Sequence, residues 1–225
     1  VDHLSSYLFA PTQRSAENLK REDVWGRVYV TGNTIIDALD KFIDRALESS
    51  HIMETIPFDR YVLVTLHRAE NVDDPETLKK IVQILRDIIQ LPVVFPIHPR
   101  TVARLQSMGL YQIVKSKSKI LLTEPLPYFD FLVAMRGCEF ILTDSGGVQE
   151  EATHPRMRKP VIVARLSTER PEAVDAGFAS VVGFDLDRIA KAIKEIDPAA
   201  LPRKSPFGDG RAASRIVDVV QECQA

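Results

Sequence analysis

Residues 143–152 combine the features that a phosphate-binding turn requires. An apolar run, Phe140-Ile141-Leu142, leads into this stretch, and a helix-forming run leads out of it. Between the two runs lie the short polar side chain of Ser145 and two glycines, Gly146 and Gly147. Because glycine has no Cβ, a ligand can approach the main chain closely, and the unpaired N–H groups of a first helical turn suit a diphosphate. A capped helix start that binds no ligand is the alternative interpretation.

A second polar cluster, His67-Arg68-Ala69-Glu70-Asn71, follows another apolar run. Histidine titrates near neutral pH, so His67 can act as an acid, as a base or as a hydrogen-bond donor to phosphate. Arg68 adds a planar fork of donors for phosphate or carboxylate. The alternative is a polar loop whose side chains cap the helix predicted from Pro75.

Four further residues could complete a ligand site. Glu151 could accept two ribose hydroxyls, as acidic residues do in dinucleotide-binding folds, or it could complement a helix dipole. Arg170 is predicted at a helix start facing the ligand; the alternative is that Glu169 and Arg170 are solvated or form a weak surface pair with each other. His98 could simply satisfy a backbone carbonyl, and Phe131 belongs to the core or lines a base pocket.

Short apolar runs alternate with longer amphipathic runs along the chain, which predicts parallel strands covered by helices on both faces. The predicted strands are 28–31, 61–65, 92–97, 120–122, 140–142, 161–163 and 180–182, and the predicted helices are 33–47, 75–90, 101–107, 128–135, 147–152, 171–176, 186–196 and 212–221. In such a doubly wound α/β sheet the ligand lies at the carboxyl ends of the strands. His67, His98, Ser145 and Arg170 all follow predicted strands, so we expect them at one edge.

Composition excludes several classes of protein. The 225 residues are 45% hydrophobic and 27% charged, and a net charge of −2 without a basic cluster argues against nucleic-acid binding. The two cysteines lie far apart, which predicts a reducing, cytoplasmic compartment, and no apolar run is long enough to span a membrane. No GxGxxG, GxxxxGK[ST] or GxSxG motif occurs, and the five histidines lack metal-ligand spacing. The chain lacks an initial Met and starts on an apolar segment, from which we expect a longer protein.

The chain resembles the non-hydrolysing UDP-N-acetylglucosamine 2-epimerases. The resemblance rests on two specific motifs in this order, His67-Arg68-Ala69-Glu70-Asn71 and Asp144-Ser145-Gly146-Gly147-Val148-Gln149-Glu150-Glu151. Further matches span nearly the whole chain, at Leu8-Phe9-Ala10-Pro11-Thr12, Val30-Thr31-Gly32-Asn33-Thr34, Glu124-Pro125-Leu126-Pro127-Tyr128-Phe129-Asp130-Phe131, residues 168–173 and Gly208-Asp209-Gly210.

The resemblance implies a fold and a division into domains. The family has two Rossmann-like domains in the glycosyltransferase-B arrangement, with the nucleotide sugar in the cleft between them. Residues 1–26 resemble the end of an N-terminal domain whose remainder is missing here. Residues 27–207 resemble the whole UDP-binding C-terminal domain, and residues 208–225 resemble a terminal helix that crosses back to the N-terminal domain. The resemblance also implies a homodimer.

The resemblance further implies a reaction by elimination, in which UDP leaves, a 2-acetamidoglucal forms, and UDP adds back after C2 is reprotonated on the other face. Neither a metal nor a nicotinamide cofactor takes part. By the same resemblance, His67 is catalytic and helps UDP to depart, while the UDP-binding residues are Ser145, Gly146, Gly147, Glu151, Arg170 and Phe131. Arg68 and His98 match an activating UDP-sugar site of bacterial members, but Ala69 stands where many of them have a second arginine.

Three other functions remain open at the level of sequence. A relative could act on another UDP-2-acetamido sugar, such as a diacetamido-uronic acid, because the missing half would hold most of the sugar. A UDP-sugar binding module without catalysis is the second alternative, and a glycosyltransferase of similar fold is the third. We expect the 225-residue chain alone to bind UDP weakly and to turn nothing over.

Overall fold

The computed structural model describes residues 1–222 as eight strands and twelve α-helices with short 3₁₀ and π segments. The strands are β1 (Tyr7–Ala10), β2 (Arg27–Val30), β3 (Val62–Thr65), β4 (Val93–Pro96), β5 (Ile120–Thr123), β6 (Ile141–Thr143), β7 (Val161–Val163) and β8 (Ala179–Val181). The helices are α1 (Gln13–Arg21), α2 (Thr34–Ser49), α3 (Ile52–Thr55), α4 (Ala69–Val72), α5 (Pro75–Gln83), α6 (Pro99–Ser107), α7 (Tyr111–Lys115), α8 (Tyr128–Gly137), α9 (Gly146–Ala152), α10 (Pro171–Asp175), α11 (Leu186–Lys194) and α12 (Ala212–Glu222).

Six parallel strands form the central sheet in the order β5-β4-β3-β6-β7-β8. The chain runs outward from β3 through β4 to β5, and it then returns to the other side of β3 to form β6, β7 and β8. The predicted doubly wound parallel sheet is therefore confirmed. Its switch point lies between β3 and β6, which is where sheets of this kind bind ligands.

Both faces of the sheet are buried, as the continuous apolar strands predict. Alternate residues of β3 enter different cores, with Leu63 in one and Val62 and Val64 in the other. The core with Leu63 contains buried residues of α2, α8 and α9, and the opposite core contains those of α5 and α11. The whole sheet is thus held between two helical layers.

The strand predicted at 28–31 is not part of the central sheet. It forms β2, which pairs in parallel with β1, for example Leu8 with Val28, in a separate sheet of two strands. The apolar periodicity predicted the strand but could not predict its partner, because pairing depends on contacts that are remote in sequence. This pairing joins residues on both sides of the predicted boundary between 26 and 27, and the domain division itself stays a prediction.

Two chain segments cross closely where β2 leads into α2. Gly32 and Gly208 have φ values of +91° and +126°, and a Cβ built on Gly208 would lie 3.2 Å from Gly32 Cα. Backbone N–H groups at the start of α12 donate to Asp37 of α2, and Arg215 donates to Thr31 O at 3.0 Å. The last helix therefore begins firmly attached to this crossing.

Several short helices lie outside the sequence predictions, namely α1, α3, α4 and α7. The helix predicted at 75–90 is α-helical only to Gln83 and continues as a π-helix over Ile84–Ile88. Within residues 1–222, no helix combines the length and the apolar character needed to cross a membrane.

Candidate functional site

The two motifs meet at the switch point of the sheet. Thr65, the last residue of β3, pairs with Thr143, the last residue of β6. The loops that follow these strands carry His67 and residues 144–147, so the parallel register places both loops at the same edge. The expectation that His67 and Ser145 lie at one edge of the sheet is confirmed.

Asp144 holds the two loops together. Its carboxylate is fully buried and accepts the backbone N–H of His67 at 3.0 Å, that of Arg68 at 2.9 Å and the Asn71 side-chain amide at 2.9 Å. The His67 ring lies beside the same carboxylate, with Nδ1 3.4 Å from Asp144 Oδ1, and remains 40% exposed. Asp144 and Asn71 were not among the predicted site residues, although an acidic residue directly after a buried strand was a signal that could have identified them.

The two glycines leave the start of α9 open. Neither Gly146 nor Gly147 has a positive φ, and a Cβ at Gly147 would meet no atom within 4 Å. Neither the local backbone conformation nor the packing of the described residues therefore requires glycine at position 147. Ser145 occupies the N-cap position, but within the described chain its side chain makes no capping bond to α9. Gly146 is buried, whereas Ser145 and Gly147 are half-buried, and no capping side chain of Ser145 occupies the first turn of α9.

The loop after β7 is fastened to α9 through two side chains. Thr168 Oγ1 donates to the buried Gln149 Oε1 at 2.6 Å and accepts the Arg170 backbone N–H at 3.0 Å. A Cβ at Gly146 would lie 3.7 Å from Arg170 Cζ, so the guanidinium is beside the first turn of α9. Gln149 and Thr168 were also missed, because a sequence gives no sign that these two residues meet.

Arg170 forms an ion pair with Glu150 and not with Glu169. Glu150 is buried, pairs with Arg170 Nε and accepts a 2.9 Å hydrogen bond from the Asn33 amide. Burial raises the pKa of Glu150, and the nearby Arg170 opposes that rise. Glu169 is bound instead by Arg165 at 2.9 Å, a hydrogen bond that lowers the pKa of this glutamate. The predicted alternative of a pair between Glu169 and Arg170 is therefore wrong.

Glu151 is a buried carboxyl group close to the hydroxyl of Tyr128. Glu151 lies in α9, and only 7% of the residue is exposed. Burial raises the pKa of Glu151 to about 7, a hydrogen bond from Tyr128 lowers it, and the charge of Glu150 raises it. A carboxylate held in this way can accept hydroxyl donors, and its proton affinity makes that capacity sensitive to pH near neutrality.

A cavity of about 180 Å³ brings together three of the predicted residues, His67, His98 and Phe131. The rings of His67 and His98 lie 6.0 Å apart between centroids. His98 also caps α6, because its Nδ1 accepts the Arg100 backbone N–H at 3.2 Å. The predicted structural role of His98 is therefore real, although it involves a backbone N–H and not a carbonyl.

Two features at this edge of the sheet were not predicted: a second cavity, and a bond from the Arg68 backbone to Asp144. A larger cavity of about 680 Å³ lies between the loop 165–167, α5 and α11, and none of the predicted site residues lines it. The Arg68 side chain is exposed, and its backbone N–H binds Asp144. Among the described residues there is no group of three or more His, Cys, Asp or Glu side chains that could hold a metal ion.

Fold and site together define a doubly wound, Rossmann-like domain whose two polar loop motifs meet at the switch point. The chain belongs to the UDP-N-acetylglucosamine 2-epimerase family, whose model matches residues 1–221. Its sequence is 41% identical over 228 residues to the UDP-N-acetylglucosamine 2-epimerase of Methanocaldococcus jannaschii, with 98% of this chain and 62% of the relative covered.

Solved structures agree with this membership. The fold superimposes with a TM-score of 0.89 on the M. jannaschii UDP-GlcNAc 2-epimerase in complex with UDP-GlcNAc and UDP, at 41% identity, over 98% of this chain and 62% of that one. A TM-score of 0.82 relates it to S. aureus MnaA in a co-structure with UDP, at 36% identity, over 98% of this chain and 60% of that one. The chain thus spans about three fifths of the length of these relatives. The predicted family and fold class, with the glycosyltransferase-B-like arrangement of the neighbouring structures, are confirmed.

Proposed function

We propose that this chain is the UDP-binding part of an enzyme that interconverts UDP-GlcNAc and UDP-ManNAc. One observation supports the proposal most strongly: the His67 and Ser145 motifs converge at the switch point, beside a glycine that nothing in the fold requires. Relatives that match nearly all of this chain carry the name UDP-N-acetylglucosamine 2-epimerase, and two of the similar structures contain UDP.

The start of α9 is the proposed diphosphate site. Ser145, Gly146 and Gly147 would present backbone N–H groups and a hydroxyl, and Arg170 would supply the positive charge beside Gly146. His67 faces the same edge with its ring partly exposed. Donors that are fixed before the reaction stabilise charge that develops on a leaving group, since they need no reorganisation as the bond breaks.

Glu151 and Phe131 are the proposed contacts for the nucleoside. The Glu151 carboxylate would accept the ribose hydroxyls, with the Tyr128 hydroxyl close beside it. Phe131 lines the cavity that also contains His67, so an aromatic surface for the uracil lies next to the proposed diphosphate site. An acidic residue that reads ribose hydroxyls is a recurring feature of related nucleotide-binding folds.

The proposed reaction is an elimination followed by an addition. The C1–O bond to UDP breaks and its electron pair leaves with the diphosphate, while C2 loses its proton to form the 2-acetamidoglucal. UDP then adds back to C1 after C2 has been protonated on the other face. This chain would hold and release UDP, and His67 would donate to the leaving diphosphate. The groups that exchange the C2 proton belong, in this proposal, to an N-terminal half outside the chain.

The remaining parts of the proposal concern partners and regulation. The enzyme would be a cytoplasmic homodimer, with residues 1–26 and 208–225 joined to the N-terminal half. The exposed Trp25 and Leu4 next to the two-stranded sheet are consistent with a further covering layer there. Arg68 and His98 remain the proposed activating UDP-sugar site, and Ala69 removes one of the arginines expected in it.

An activity assay on the protein with its N-terminal half attached tests the proposal. We expect interconversion of the two UDP-sugars by that protein, no turnover by the 225-residue chain, and a large loss of turnover in His67→Asn. His51→Asn is the matched control, because His51 is 78% exposed and pairs only locally, with Glu54. Turnover by the isolated chain, or unchanged turnover in His67→Asn, would contradict the proposal. Reaction with a different UDP-2-acetamido sugar alone would reassign the substrate.

A further inference from the structure

We propose that Asp144 is a positioning residue that fixes the His67 imidazole with its proton on Nδ1, so that Nε2 is the nitrogen presented to the ligand. The inference rests on the proposed function only where it assigns His67 to the leaving diphosphate. The arrangement of Asp144 and its donors stands independently of any activity.

The Asp144 carboxylate accepts its hydrogen bonds from N–H groups of residues 67–71. Oδ2 accepts three N–H groups, from the His67 backbone at 3.0 Å, the Arg68 backbone at 2.9 Å and the Asn71 amide at 2.9 Å. Three donors directed at one oxygen leave no room for a proton on it. Oδ1 is 3.2 Å from the His67 backbone nitrogen and 3.4 Å from His67 Nδ1. Because the carboxylate is fully buried, its lone pairs must be satisfied by the protein.

The position of the Asp144 carboxylate decides which nitrogen of the His67 ring carries the proton. A neutral histidine carries its proton on one nitrogen only, and the neighbour of the other nitrogen decides which. An unprotonated Nδ1 would point its lone pair at the acceptor Oδ1. A proton on Nδ1 converts that repulsion into attraction to the carboxylate, and from 3.4 Å a small rotation of the ring brings the two atoms to hydrogen-bond geometry.

The Asp144 carboxylate is itself held in a fixed orientation. Asn71 donates to Asp144 and also to Ala164 O, at 3.3 Å, so the loop after β3, the start of α9 and the end of β7 are fastened to one another. An orienting group must be more rigid than the group that it orients, and Asp144 meets this condition.

The consequence is that the two ring nitrogens of His67 have different roles, with Nδ1 facing Asp144 and Nε2 facing the ligand. With Nδ1 bound to Asp144, Nε2 takes up the second proton when the ring becomes charged. In the doubly protonated ring, Nδ1–H faces the buried Asp144 carboxylate and Nε2–H donates to an anion at the edge of the sheet. In the Ser-His-Asp arrangement, replacing the orienting Asp by Asn costs about 10⁴-fold in kcat because the wrong tautomer forms.

The test is ¹⁵N NMR of histidine-labelled chain at a pH where His67 is neutral. We expect the Nδ1–H form of His67 in the unsubstituted chain and the Nε2–H form in Asp144→Asn. In the variant, the new amide oxygen can replace Oδ2 as acceptor, and its NH₂ group then faces Nδ1, which must become an acceptor. His98 is the internal control, because its Nδ1 accepts the Arg100 N–H and it stays in the Nε2–H form in both proteins.

Two results would overturn the inference: an Nε2–H tautomer of His67 in the unsubstituted chain, or no change of tautomer in a folded Asp144→Asn variant. The first needs no variant, so misfolding of the variant cannot protect the inference. With the N-terminal half attached, we expect Asp144→Asn to lower kcat by about 10²-fold or more while KM changes little. If the tautomer is as stated but the protein epimerises no UDP-sugar, the proposed function fails and the positioning role of Asp144 stands.

Discussion

Replacing Glu151 by Gln should stabilise the ligand-free chain at alkaline pH and leave its stability unchanged at acid pH. The physical reason is the buried carboxyl group, whose pKa rises from 4.5 to about 7, mainly through burial. A group with a higher pKa in the folded chain binds more protons when folded than when unfolded. The free energy of unfolding therefore falls as the pH rises from about 4.5 to about 7, and it levels off above that range.

The size of the effect follows from the two pKa values. They differ by about 2.5, and each pKa unit corresponds to about 1.4 kcal/mol, so this group costs about 3 kcal/mol at pH 8. Gln has nearly the same shape and no charge to desolvate. The Glu151→Gln chain should thus be up to about 3 kcal/mol more stable than the unsubstituted chain at pH 8, and about equal to it below pH 5.

Urea denaturation of both chains at pH 5 and pH 8 measures this difference. Glu76→Gln removes a negative charge from an exposed side chain, 73% accessible, and controls for the change of net charge. If the stability difference between Glu151→Gln and the unsubstituted chain were the same at both pH values, burial would not disfavour the Glu151 charge and the reasoning would be refuted. Because a ribose diol needs the carboxylate, UDP should also bind more weakly below pH 7 than above it, and Glu151→Gln should reduce this dependence to the part that comes from titration of the UDP phosphate itself.

Two stability predictions concern contacts elsewhere in the fold. Gly210→Ala should cost about 2 kcal/mol or more, because φ is +78° and the new Cβ would overlap Asp40, which accepts a 2.9 Å hydrogen bond from the buried His154. Gly109→Ala has a similar φ of +69° but open space around it, so equal losses in thermal unfolding would exclude the proposed overlap. Tyr61→Phe should cost about 1–2 kcal/mol, since the buried hydroxyl donates to Ala134 O at 2.6 Å. Denaturation curves that coincide with those of the unsubstituted chain would contradict this estimate.

The central sheet could be predicted because its strands carry a local signal. Each is a short apolar run between polar loops, and parallel strands buried on both faces have that composition. Strand pairing has no such signal, since β2 is as apolar as the strands of the central sheet but pairs with β1. A separate sheet of two strands therefore could not be anticipated from periodicity.

The same distinction applies to the candidate site: residues with a local sequence signal were predicted, and contacts between remote residues were not. Glycines, histidines and arginines after strands were visible as motifs, and the parallel register brings them to one edge. The contacts that hold these groups in place were not visible, because Asp144, although it directly follows a predicted strand, binds residues 76 and 77 positions away, and Gln149 binds Thr168 across 19 positions. Hydrogen bonds between loops depend on the folded geometry, which single-sequence patterns do not contain.

Helix capping shows where the type of a single residue is enough to predict a local structure. Asp74 before Pro75 predicted the start of α5, and its side chain indeed accepts the Thr77 N–H at 2.7 Å. Ser145 before Gly146 has the same local signature but makes no capping bond in the described chain. This difference between two similar sequence signals distinguishes an ordinary cap from an N-terminus that is left open.

The most direct test of the central claim is a titration of the 225-residue chain with UDP, followed by NMR, for the unsubstituted protein and Gly147→Val. We expect weak binding that requires the diphosphate, with uridine failing to compete. In Gly147→Val we expect binding to be lost. A Cβ at this position meets no protein atom within 4 Å, and the amide spectrum of the variant without UDP checks that the fold also accommodates the two methyl groups. Gln106→Val, on the exposed side of α6, should bind as the unsubstituted chain does. Equal UDP binding by Gly147→Val and the unsubstituted chain would contradict the assignment of the diphosphate to the start of α9.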